Sequence, residues 1–132
     1  CGEETLTLAH DSTYLAQAKK DILRGLSVLS TGDTQVCRDS WEVARRATGG
    51  ALEAVDKIID GDIKRAFCLT RPPGHHATPS KGMGFCIFNH IAIAARYAQK
   101  KHGVGKITAV EKAKIGEIDI QFYKIFIIII LF

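Results

Sequence analysis

Residues 66–89 read Ala-Phe-Cys-Leu-Thr-Arg-Pro-Pro-Gly-His-His-Ala-Thr-Pro-Ser-Lys-Gly-Met-Gly-Phe-Cys-Ile-Phe-Asn. The short apolar run Ala66 to Leu69, set before a Pro-Gly loop, predicts a buried parallel strand. The loop that follows is stiffened by Pro72 and Pro73 and bent by Gly74, and it carries two adjacent histidines, His75 and His76. It leaves the C-terminal end of the strand, where an open α/β sheet places its chemistry. Histidine titrates near neutrality, so a positioned pair can divide acid and base duties in one reaction.

On the N-terminal side of this stretch, Leu6 to Ala9 predicts a short strand. Asp11 or Ser12 then caps a helix with Leu15, Ala18, Ile22 and Leu26 at helical spacing. Gly32-Asp33 marks a loop. Ser40 is the expected cap of a longer helix whose stripe includes Trp41, Ala44, Thr48, Ala51 and Val55, and Gly61 ends it. The Gly49-Gly50 pair inside that helix costs roughly 1 kcal/mol per glycine against alanine, which predicts a close backbone approach. On the C-terminal side, Asn89 caps a helix carrying Ile91, Ala94, Ala95 and Ala98. The basic residues Lys100, Lys101 and His102 and then Gly103 close it, and a strand begins at Lys106-Ile107. The alternation of strands and helices predicts an α/β sheet flanked by helices.

The chain has 132 residues, 46% hydrophobic and 24% charged, which is the composition of one globular domain. A net charge of +4 with the basic residues scattered argues against a nucleic-acid surface. Cysteines at 1, 37, 68 and 86 form no C-x-x-C pair, which favours free thiols in a reducing compartment and an intracellular protein. No secretory signal opens the sequence, whose first residue is Cys. The unbroken apolar run Phe126 to Phe132 falls far short of the roughly 20 residues of a membrane-spanning helix.

Arg71-Pro-Pro-Gly-His-His-Ala77, then Gly82-Met-Gly-Phe-Cys86, then Phe88-Asn89 and an Ala-rich helix together resemble the zinc-dependent histone deacetylases and their acetylpolyamine amidohydrolase relatives, with the class II and bacterial amidohydrolase branch nearest. Leu8-Ala-His10 before a helix with Tyr14, the Gly32-Asp33 loop, and Ser40 to Asp56 extend the resemblance over about residues 5 to 107. It implies the N-terminal part of an arginase/deacetylase-like parallel sheet in three layers, a partial domain over 1–107, and a divergent tail over 108–132. By resemblance, the substrate is acetyl-lysine in a protein and the family cofactor is zinc. His76 is then the general base and acid, and His75 contacts the same water. Gly84 and Phe85 line the tunnel for the acyl-lysine stem, and Cys86 sits beside the acetate pocket. Taken alone, Phe85 and Cys86 would read as core residues. Asp33 falls near a rim aspartate that grips the substrate backbone, with a solvated turn residue as its other reading.

After Ile107 the chain departs from that pattern. No histidine follows His102, so the expected Asp-x-His ligand pair is absent, and neither Asp119 nor Tyr123 has the setting of a site residue. No side-chain metal ligand is assigned, and the chain is expected to bind no zinc by itself and to be inactive alone. The Ile, Phe and Lys bias of the tail is what translation of A/T-rich noncoding sequence gives, so a retained intron, frameshift or truncated gene is expected from about residue 108. A dinucleotide site fails because Ile87 stands where the fingerprint wants its third glycine, and Cys68, His75, His76 and Cys86 match no paired zinc-ligand spacing. An acetylpolyamine deacetylase fragment is the alternative enzyme. A noncatalytic module pairing with a relative through an unfinished sheet is the alternative outside enzymes, and any co-repressor partner stays unspecified. Nucleus or cytoplasm is the expected location.

Overall fold

The structure is a computed structural model that describes residues 1–104 and the strand Ile127–Ile128. Its elements are α1 (Glu3–Leu6), α2 (Ser12–Leu23), α3 (Ser40–Ile59), β1 (Ala66–Phe67), α4 (His90–His102) and β2 (Ile127–Ile128). Helices therefore dominate the described residues. Among the described residues the expected parallel sheet is one two-residue pairing, Ala66 with Ile127 and Phe67 with Ile128, which is parallel as predicted.

Two strand expectations are corrected. Leu6 to Ala9 is not a strand: Glu3 and Glu4 sit in the first turn of α1, where carboxylates favour a helix N-terminus, and the chain then turns with the Thr7 hydroxyl donating to the Glu4 carbonyl. Nor is the 66–69 segment buried. Ala66 and Cys68 are half-buried, whereas Phe67 and Leu69, on the alternate face, are 52% and 68% exposed, and β2 is the one strand that pairs with β1 among the described residues. The expected strand at Lys106-Ile107 lies outside the described residues.

The helices form close to where the pattern places them. Asp11 is the N-cap of α2 and Asp39 that of α3, so Ser40 is the first helical residue, its hydroxyl accepting from the Cys37 amide. Leu26 falls beyond the end of α2 and is exposed, since Gly25 at φ +79° turns the chain away. Gly49 does meet a close neighbour, the N-terminal nitrogen of Cys1, but Gly50 faces open space, so only one of the two glycines has the packing reason expected of it.

The core lies between α3 and α4. Small residues of both helices, Ala44 and Ala51 with Ala94 and Ala98, belong to one buried cluster with Ile93 and Val55, and they let the two backbones approach. Thr48 pairs with His90 near the start of α4, and Asp56 with Tyr97, Lys101 and His102 at its end, so the helices run in the same direction. Trp41 closes the cluster edge-on to Phe88, with ring centroids 5.0 Å apart.

His90 is fully buried in this interface. Its Nε2 lies 3.1 Å from the Pro72 carbonyl, which can only accept, so Nε2 carries the proton, and the unprotonated Nδ1 lies 2.8 Å from the Thr48 hydroxyl, whose one proton is shared between it and the Ala44 carbonyl at 3.0 Å. Burial, against the opposing pull of the Pro72 carbonyl, pushes the imidazole down to about 4 from its ordinary 6.5, and nearby His10 adds to the fall. The unfolded chain then takes up the proton first. Stability is complete above about pH 6.5 and is lost as the pH falls toward 4.

Two measurements check this account. The urea midpoint should fall between pH 6.5 and pH 4 with a total loss of about 3 kcal/mol from His90, a window above the acidic range in which the lowered carboxyls of Asp21 and Asp56 titrate. His90→Gln should remove the His90 share of that slope and leave the share of His10, whose burial lowers its imidazole as well. Ala51→Leu, which adds volume where α3 meets α4, should lower the midpoint at pH 7 by the equivalent of about 1–3 kcal/mol.

Candidate functional site

The segment from Met83 to Asn89 has no regular secondary structure and runs from the surface at Met83 and Phe85 into the buried centre at Cys86 to Phe88, where its backbone polar groups need partners from elsewhere. Upstream side chains provide them. Asp33 Oδ1 accepts from the Gly84 amide at 3.0 Å, and Thr34 Oγ1 donates to the Cys86 carbonyl at 3.2 Å. Tyr14 Oη donates to the Ile87 carbonyl at 2.8 Å, and His10 Nε2 accepts from the Asn89 amide at 2.8 Å. Burial pushes the Tyr14 phenol up, which keeps its proton available for donation. Asn89 then faces both ways. Its Oδ1 caps α4 by accepting from the Ala92 amide, and its Nδ2 donates to the Ala77 carbonyl at 2.9 Å, the residue after His76.

These bonds bring the histidine loop onto the glycine loop. The rings of His75 and His76 lie 4.0 Å apart between centroids, tilted by 47°, with His75 half-buried and His76 exposed. The His76 amide donates to Cys86 Sγ at 3.4 Å. Gly84 adopts φ +57°, and a Cβ there would come within 2.7 Å of the His76 ring, so this position requires glycine twice over. Phe85 also has positive φ, 65°, and stands 61% exposed beside the exposed Met83. It is therefore not a core residue. Cys86 is fully buried, and burial raises its thiol despite the His76 and Ala77 amides nearby, which makes it a neutral wall of the site.

The rim is fixed as firmly. A Cβ on Gly32 would collide with the Gly82 carbonyl, so the 32–33 turn lies directly on the glycine loop and Asp33 stands exposed at its edge. Asp21, buried in α2, accepts from the Ser30 amide and hydroxyl at 2.9 and 2.6 Å and holds that turn from below. The residues singled out from the sequence, Asp33, His75, His76, Gly84, Phe85 and Cys86, thus share one corner of the molecule. The supports His10, Thr34 and His90 are not recognisable as such from the sequence, where His10 reads as a turn residue and His90 as a first-turn helix residue.

Catalytic zinc asks for three protein ligands and an open position. Among the described residues, no three His, Cys, Asp or Glu side chains come together in a set that could hold a metal ion. The corner therefore does not fit a complete zinc site among the described residues; what it brings together is two adjacent imidazoles seated against the glycine loop. No helix among the described residues is long and apolar enough to cross a membrane.

The chain matches the histone deacetylase domain family over residues 1–111. It is 49% identical over 72 residues to Histone deacetylase 6 of Caenorhabditis elegans, covering 53% of this chain and 8% of that protein. It is 38% identical over 114 residues to the polyamine deacetylase HDAC10 of Rattus norvegicus, covering 83% and 19%. To the histone deacetylase-like amidohydrolase of Pseudomonas aeruginosa it is 36% identical over 109 residues, covering 83% and 28%. The solved HDA15 HD domain superposes with a TM-score of 0.68 at 34% identity, covering 74% of this chain and 28% of that one. The chain spans at most 28% of the length of these relatives. Its fold class is that of the deacetylase domain, of which the described residues are the largely helical part. Sequence match and superposed fold converge: the chain belongs to the histone deacetylase family, whose members are zinc-dependent deacetylases.

Proposed function

We propose that this chain carries the proton-transfer and substrate-tunnel part of a deacetylase that hydrolyses the acetyl amide of acetyl-lysine in histones or other proteins. The observation that supports it most is the seating of His76 against Gly84 with its amide on Cys86, which sets the imidazole pair directly on the Gly84-Phe85-Cys86 turn. In this reading His76 takes a proton from the attacking water and delivers it to the departing lysine amine, so one group serves as base and then acid. His75 contacts the same water and sets the local field. Gly84 leaves width for the lysine stem, Phe85 lies along it, Cys86 backs the acetyl group, and Asp33 accepts from the substrate backbone at the rim. The family's zinc has no complete ligand set among the described residues, and we assign the chain by itself no hydrolytic activity. The domain runs over 1–107 with a divergent tail over 108–132, and the protein works in the nucleus or cytoplasm. Deacetylation of an acetylated polyamine is a second reading, favoured by the likeness to the rat polyamine deacetylase.

Two outcomes test this. The purified chain should retain no stoichiometric zinc by elemental analysis, and tight one-to-one zinc would show a ligand set that the reading omits. A chimera in which residues 1–107 replace the matching segment of the Pseudomonas amidohydrolase should turn over acetyl-lysine peptide faster than acetylated polyamine. In that chimera, His76→Ala should slow turnover by about two to four orders of magnitude with zinc content unchanged. His75→Ala should also slow it, and the double variant should lose less than the product of the two effects, because both residues serve one step. An active chimera indifferent to His76→Ala would sink the assignment.

A further inference from the structure

The N-cap residue of a helix presents its own amide outside the helical ladder, and a capping box meets that need with Glu or Gln three residues on. In α4 that position is Ala92, which has nothing to offer, and the Asn89 amide is taken instead by His10 from 79 residues away. His10 is 4% exposed, with its ring against Tyr14 and Phe88 at centroid distances of 5.4 and 6.0 Å. Because Nε2 accepts, it bears no proton, and the ring proton sits on Nδ1, buried beside the Thr78 and Pro79 carbonyls without a well-formed hydrogen bond. The Asp11 amide donates to the Pro79 carbonyl at 3.0 Å, so the segment around His10 grips the histidine loop on its far side as well.

We propose that His10 is a positioning residue for the His75-His76 corner, whose unprotonated Nε2 holds Asn89 and, through the Asn89 side chain on Ala77, fixes the histidine loop. An imidazolium donates from both nitrogens and accepts from neither, so protonating His10 breaks this link by the chemistry of the ring alone. The titratable groups facing it are Asp11 on its own segment, Tyr14 on α2 and the buried His90 on α4. Burial lowers the His10 imidazole, which keeps it an acceptor at neutral pH, while Asp11 and the two loop carbonyls pull the other way. The link itself stands on the contacts. That the corner it orders is catalytic rests on the function proposed above.

Nuclear magnetic resonance of the whole chain tests it without an activity assay, so its failure and that of the deacetylase reading are separable. As the pH falls through the titration of the His10 ring, the protection factor of the Asn89 amide should drop about tenfold, the worth of one hydrogen bond of roughly 1.4 kcal/mol. The side-chain amide resonances of Asn89, which donates to the Ala77 carbonyl, should shift in the same step. His10→Gln, whose Oε1 can accept where Nε2 does, should keep the protection and make it flat with pH. His10→Phe should lose it at every pH, and if that variant does not fold, the wild-type titration and His10→Gln decide. The proposal is overturned if His10 titrates while Asn89 protection and the Asn89 side-chain amide resonances stay constant, or if His10→Gln retains the wild-type pH step.

Discussion

A peptide segment crossing a protein interior outside helix or sheet must find partners for every amide and carbonyl it carries, since each one left unmet costs about 1–3 kcal/mol. Residues 84–89, which run from the surface into the centre, have four of these groups met by side chains from the first 34 residues, arranged in order along the segment. The α3–α4 pair supplies the apolar wall behind them, and His90 extends the same device by reaching the Pro72 carbonyl at the start of the histidine loop. The geometry of the corner is a property of this bonding, because the loops have little regular structure of their own to hold them.

The rest of the molecule can be understood as support for that arrangement. α2 presents Tyr14 at its beginning and Asp21 near its end, so a single rigid helix sets both the Ile87 carbonyl and the turn that carries Asp33. α3 presents Thr48 to His90, and α4 starts where Asn89 ends the irregular segment. Asp56 ties the far end of α4 through Tyr97, Lys101 and His102. These last contacts are partly exposed and are individually worth little. They fix the direction of α4 more than they stabilise it.

Much of this was legible in the sequence. Helical spacing and terminal residues located α2, α3 and α4, and Gly103 at φ +64° closes α4 where the basic residues and glycine placed its end. The Arg-Pro-Pro-Gly-His-His and Gly-Phe-Cys runs identified the histidine and glycine loops, which the structure brings together. The strands were less legible. A run such as Ala66 to Leu69 reveals that a segment is apolar but not whether neighbours cover it, and Leu6 to Ala9 lost to the carboxylates that favour a helix just before it. The roles of His10 and Thr34 were hidden for a different reason. Each bonds to main-chain atoms, which look alike in every sequence, and the partner lies 79 residues away in one case and 52 in the other.

Those separations bear on how the corner comes into being. Chain closure over such spans has an entropic cost that grows with length, and contacts distant in sequence form late unless local structure brings them near. During synthesis the N-terminal residues emerge first, so His10, Tyr14, Asp33 and Thr34 are made, and α3 can form, well before residues 84–89 leave the ribosome. The loop that receives the bonds is the last of these parts to arrive. The histidine pair therefore has no ordered geometry to inherit from its own neighbourhood and takes its shape only when the whole preceding chain is already in place to receive it.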